Sequence, residues 1–147
     1  GLVLDVTYRG TDGRTVDPAA LEQGTDFTAL VTVAHPGVRG NYQQLALTQV
    51  FPSGWEIRNT RMEGTESATQ ASYFTYQDIR DDRVMTYFDL YAGRTVTYTV
   101  NLNASYVGRY YLPPTQCEAM YDHTVNARST GRWIEVLPPG GAPRAGK

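Results

Sequence analysis

The chain has almost no means of cross-linking itself and few groups that titrate near neutral pH. Its one cysteine, Cys117, rules out an internal disulfide. Its two histidines, His35 and His123, leave little material for a site built on proton transfer. Charge of one sign is not in excess: the net charge of −2 gives no electrostatic reason to expect nucleic acid or an anionic membrane as partner. No apolar run reaches the length of a membrane-spanning helix, and no long segment carries a helical period. A leader peptide is also missing. Because the chain opens on Gly1 rather than Met, an excised fragment of a longer protein is expected and that absence carries no information.

What is present is β-forming and aromatic. Eleven tyrosines and four phenylalanines suit a contact-making protein, and 147 residues suffice for one core without disulfides. Leu2, Leu4 and Val6 alternate with Val3, Asp5 and Thr7, which predicts a strand with a buried face. Asp12-Gly13 is a hairpin-turn signal. Further strands are predicted over Phe27–Val33, Leu45–Val50, Trp55–Arg58, Phe74–Ile79, Val84–Leu90, Val107–Leu112, the segment around Met120 and Trp133–Leu137. The cleanest is Thr95–Leu102, where Val96, Tyr98, Val100 and Leu102 share one face and the threonines the other.

One short helical turn is expected at DPAALEQG. Asp17 would cap it, Pro18 would fill the first helical position, and Gly24 would end it in the left-handed conformation. Thr60–Ser72 is small and polar without an apolar period and reads as a mobile loop. The expected architecture is an all-β, two-sheet antiparallel sandwich of about eight to ten strands over residues 1–137. Residues 138–147 are expected to form a disordered tail.

The constellations that could carry chemistry have plainer readings. His123 stands beside Asp122, but a hydrolase needs a nucleophile activated by an oriented base. Cys117 has no recognisable local signature and no nucleophile elbow is present, so no enzyme is expected. Asp78, Asp81 and Asp82 offer oxygen ligands, yet Arg80 and Arg83 interleave with them. A surface ion-pair ladder at a hairpin is the better reading, and no metal or cofactor is expected. Asn103-Ala104-Ser105 fits a glycosylation sequon, a pattern short enough to arise by chance.

The richest stretch is Tyr110–Arg128, YYLPPTQCEAMYDHTVNAR. It passes from an alternating strand through Pro113-Pro114 into a short segment holding Cys117, Met120 and Tyr121. That segment is too apolar for a solvent loop, while Glu118 and Asp122 make it too polar for a core strand. Met120 and Tyr121 read either as core packing or as a displayed pair that covers something.

Four motifs, none decisive by itself, together point to one family. They are DVTYRGTDGRTVD at Asp5–Asp17, FPSGWEIRN at Phe51–Asn59, YQDIRDDRV at Tyr76–Val84 and the CEAMYD run, with RWIEV closing at Arg132–Val136. Together they resemble the C-terminal macroglobulin-like domain, of the MG10 type, of bacterial alpha-2-macroglobulins, periplasmic protease-trapping proteins. The resemblance implies a periplasmic location and a role as protease inhibitor through the full-length protein. It implies partners in the other domains of the parent, including a thioester-type domain, with the isolated domain a monomer. In thioester-bearing members a Met-Tyr pair shields the bond from water, and that pair corresponds to Met120 and Tyr121, flanked by Glu118 and Asp122. The rival reading is an immunoglobulin-like adhesion or carbohydrate-binding module with Trp55, Tyr73, Tyr76 and Tyr91 as an exposed stacking platform.

Overall fold

A computed structural model describes residues 2–37, 40–58, 74 and 76–140, with the backbone alone at His123. Twelve strands fall into three sheets among these residues, and none of them is helical. A four-stranded sheet runs in the order β1 (Val3–Gly10), β3 (Asp26–Ala34), β8 (Thr95–Ala104), β5 (Trp55–Ile57). A five-stranded sheet runs β11 (Asp122–Arg128), β10 (Gln116–Ala119), β4 (Tyr42–Val50), β7 (Arg83–Leu90), β6 (Tyr76–Ile79). A three-stranded sheet runs β2 (Ala20–Glu22), β12 (Arg132–Leu137), β9 (Gly108–Leu112).

The alternation of the sequence explains how these layers meet. On β3 and β8 every second residue points inward, and the buried set divides along the strands. Phe27, Ala29, Val100 and Leu102 join Leu112, Ile134 and Val136 of the three-stranded sheet. Val31, Val33 and Tyr98 join Leu45, Leu47, Phe88 and Cys117 of the five-stranded sheet. The architecture is therefore a β-sandwich whose second layer is in two pieces. Hydrophobic burial along both pieces is its main favourable term.

The turn signals act as their chemistry demands. At Asp12-Gly13 the chain reverses with Gly13 at φ 83°, and the Gly10 N–H donates to Arg14 O at 2.9 Å. The hairpin of β6 and β7 reverses at Asp81-Asp82, flanked by an Asp78–Arg80 pair at 3.1 Å and an Asp82–Arg83 pair at 3.0 Å.

Three expectations need correction. Residues 17–24 do not form a helical turn. Asp17 Oδ1 accepts the Ala19 N–H at 2.9 Å, closing a tight turn, and Ala20–Glu22 then extends to pair in parallel with β12. Capping residues are also turn residues, and pairing with a strand far along the chain decided between the two. Second, β2 and the division of the segment around Met120 into β10 and β11 bring the strands to twelve, where eight to ten were expected. Third, Trp55 is not exposed: it is 3% accessible, with ring centroids 4.9 Å from Phe27 and 5.9 Å from Tyr8. The expected mobile loop at Thr60–Ser72 and the tail from residue 141 onward lie outside the described residues.

Candidate functional site

The CEAMYD run forms the hairpin between β10 and β11. Period two on β10 sends Cys117 and Ala119 into the core, while Glu118, half-buried, faces outward. Cys117 is a core residue, and its burial pushes the thiol up to about 12, which disfavours the thiolate. On β11, Val125 is buried beside them. These three inward side chains root the hairpin in the core.

Its tip is Met120-Tyr121. Ala119 pairs with Asp122 across it, so the loop is two residues long. Loops of that length favour Asn, Asp or Gly, and here a thioether and a phenol stand instead. Met120 is 61% exposed and Tyr121 55% exposed. The core-packing alternative therefore does not describe these two side chains.

Exposure does not mean a loose backbone. The Met120 N–H donates to Gln44 O on β4 at 3.0 Å. On the far side Asp122 Oδ1 accepts from the Thr124 N–H at 3.0 Å and from its hydroxyl at 2.6 Å. That local turn takes up the register shift between Glu118 and Ala119. Glu118 and Asp122 thus sit on either side of the tip, the second as part of its scaffold. The result is a rigid hairpin presenting two large, polarizable or flat side chains to the outside.

Gln44 was not among the residues singled out in the sequence. It lies on β4 at an irregularity between Tyr42 and Leu45, with φ 57°. A faint signal exists: the buried positions break phase there, from Tyr42 to Leu45, where strict alternation would keep it.

The remaining candidates are structural. His35 is buried and stacked on Tyr42 at 4.2 Å, its Nδ1 accepting the Gly37 N–H at 2.9 Å and its Nε2 lying 2.6 Å from Gly40 O. The side chain of His123 lies outside the described residues. No group of three or more potential metal ligands occurs among the described residues. Asn103 is buried and its Nδ2 donates to Asp26 Oδ1 at 2.7 Å, so the sequon nitrogen is committed within the fold.

Residues 1–123 match the family described as the bacterial alpha-2-macroglobulin MG10 domain. An alpha-2-macroglobulin homolog of Yersinia pestis is 28% identical over 95% of this chain and 8% of its own length. An alpha-2-macroglobulin of Xylella fastidiosa is 28% identical over 82% of this chain and 8% of its own length. Among solved structures, Salmonella alpha-2-macroglobulin reacted with methylamine superimposes with a TM-score of 0.80 and 26% identity, covering 93% of this chain and 9% of that one. Native Escherichia coli alpha-2-macroglobulin from domain MG7 to the C-terminus gives 0.79 at 20% identity, covering 93% of this chain and 23% of that one, a likeness of fold. The chain spans about 8% of the length of these curated relatives.

Proposed function

The chain belongs to the bacterial alpha-2-macroglobulin MG10 domain family, and from that membership we propose that it is a docking domain of a longer protease-trapping protein. In such a parent a protease would cut a bait region, the molecule would rearrange, and the attacker would be caged or covalently captured. This domain would pack on its neighbours and hold the resting state. The reading assigns it no reaction of its own and, through the parent, a periplasmic location.

The observation that carries the reading is the Met120-Tyr121 pair, 61% and 55% exposed on a hairpin whose backbone is pinned on both sides. With the backbone already fixed, only side-chain freedom remains to be lost when a partner covers the pair. In a parent that holds a thioester in a neighbouring domain, the pair would lie over that bond. Hydrolysis needs water at the thioester carbonyl, and a flat ring beside a flexible thioether fills the gap through which water would pass. In a parent without a thioester, the same pair would serve as a packing surface alone.

The rival reading as a glycan-binding module loses one of its four platform residues, because Trp55 is buried. Tyr73 lies outside the described residues, while Tyr76, stacked on Tyr87 at 5.8 Å, and Tyr91 are exposed as that reading expects. The exposed pair Tyr111 and Trp133 meets at 66°, with the Arg109 guanidinium 4.7 Å above the indole. The guanidinium covers one face of that indole.

The test is the lifetime of the methylamine-reactive thioester in a resting, full-length, thioester-bearing parent. Met120→Ala with Tyr121→Ala should shorten it and weaken trapping of proteases. An unchanged lifetime in a correctly folded double variant would sink the shielding role. In a parent lacking the thioester, the same change should weaken docking of this domain on its neighbours.

A further inference from the structure

Among the described residues, Gln44 is the one non-glycine with positive φ, at 57°. A Cβ disfavours that conformation, and it persists only where the surroundings hold it. Two features do so. Strand β4 pairs Tyr42 with Leu90 and Leu45 with Phe88, so Gln43 and Gln44 together face the single residue Asp89. This is a bulge. The Gln44 N–H, turned out of the regular ladder, donates to Asp89 Oδ1 at 2.9 Å. On the opposite edge the Gln44 carbonyl accepts the Met120 N–H at 3.0 Å, one step beyond the last ladder pair, Ala119 with Leu45.

We propose that Gln44 and Asp89 are positioning residues for the Met120-Tyr121 tip. Asp89 holds the left-handed Gln44 backbone, and that backbone directs its carbonyl at Met120 and so sets the direction in which the pair projects. The bulge also lets Tyr42 and Leu45 both face the core, so the same residue that re-phases β4 supports the hairpin beside it. The proposal rests on the docking reading of the tip and adds the residues that fix its pose.

Amide hydrogen exchange on the 147-residue chain tests it. Asp89→Ala should lower protection of the Met120 amide by about tenfold, the effect of weakening one hydrogen bond, and leave Cys117 and Ala119 unchanged. Asp89→Asn, which keeps an Oδ1 acceptor, should restore it. Gln44 is exposed, so Gln44→Val changes backbone preference with little loss of packing. It should also release Met120, whereas Gln44→Gly, at ease with positive φ, should not. Equal Met120 protection in the Val and Gly variants overturns the proposal, as does a fall in Asp89→Ala shared equally by Leu45 and Phe88. The readout lies within this chain, so failure of thioester shielding in a parent would leave it unaffected.

Discussion

The ring of Tyr110 lies directly over Gly54: a Cβ on that glycine would stand 2.2 Å from Tyr110 Cε2. The ring has no freedom to move aside. Its hydroxyl donates to Tyr106 O at 2.9 Å and lies 3.2 Å from Val107 O. The Gly54 carbonyl in turn accepts the Ser105 and Tyr106 N–H groups at 2.9 and 3.0 Å. Through this contact the turn after β4 is locked to the three-stranded sheet. Gly54→Ala should therefore destabilise the fold by about 1–3 kcal/mol, the cost of overpacking a site that cannot relax. An unshifted denaturation midpoint would show that Tyr110 yields after all.

Gln49 should be a liability to stability. It is buried on β4 between Leu47 and Phe51, which belong to different halves of the core. Neither end of its side-chain amide has a hydrogen-bond partner among the described residues. Its register partner on β7 is the apolar Val84, whereas Thr86, opposite Leu47, has a partner: its hydroxyl accepts from Gln77 Nε2 at 3.0 Å. Replacing Gln49 with Met, unbranched and similar in size, should remove the desolvation cost and stabilise the fold by about 1–2 kcal/mol. Denaturant titration of the two proteins decides it, and a lower midpoint for Gln49→Met would refute the expectation.

Much of this fold is legible in the sequence because strand alternation is a local signal. Val96, Tyr98, Val100 and Leu102 reveal β8 without reference to any partner, and Asp12-Gly13 reveals its turn because few residues accept positive φ. The parallel pairing of Ala20–Glu22 with β12 is different. It joins segments more than a hundred residues apart, and nothing within DPAALEQG records it. The burial of Trp55 is equally non-local, since it depends on Tyr8 and Phe27 arriving from other strands. At the candidate site, CEAMYD is conspicuous by composition. Gln44 is not, because glutamine carries no preference for a left-handed backbone, and only the broken phase from Tyr42 to Leu45 hints at it.

The chain should lose stability in alkali in two steps. Burial raises the Cys117 thiol from 9.0 to about 12. Burial, partly offset by Arg132, raises the Tyr8 phenol from 10.0 to about 12. For both, the folded state holds its proton when the unfolded chain has released it. Their stabilising contribution is complete below pH 9 and is lost as pH rises through the 9 to 12 window. Cys117→Ala should delay the onset, leaving the loss that begins near 10.0, the ordinary value for a tyrosine. Midpoints measured from pH 8 upward would show this, and a profile unchanged by the substitution would exclude Cys117 as a contributor. The same burial predicts that a thiol reagent labels Cys117 only as fast as the chain opens.

The tip and root of one hairpin should respond oppositely to truncation. Met120 and Tyr121 are displayed at 61% and 55% exposure, whereas Val125, a few residues on, is buried against Cys117 and Leu45 in the same core cluster. Removing the two exposed side chains deletes little packing, so Met120→Ala with Tyr121→Ala should leave stability within about 0.5 kcal/mol of the parent chain. Val125→Ala removes buried apolar area and leaves a void, and should cost about 2 kcal/mol. If docking is the task of the pair, the double variant will be as stable as the original yet bind its neighbours less well. Urea denaturation of the two variants separates these contributions before any partner is added. A loss of 2 kcal/mol or more in the double variant, on the scale of a buried side chain, would place Met120 and Tyr121 among the residues that hold the domain together. Stability cannot explain two large side chains at a turn if their removal leaves it unchanged, and weaker docking of the double variant would then be the mark of a covering partner.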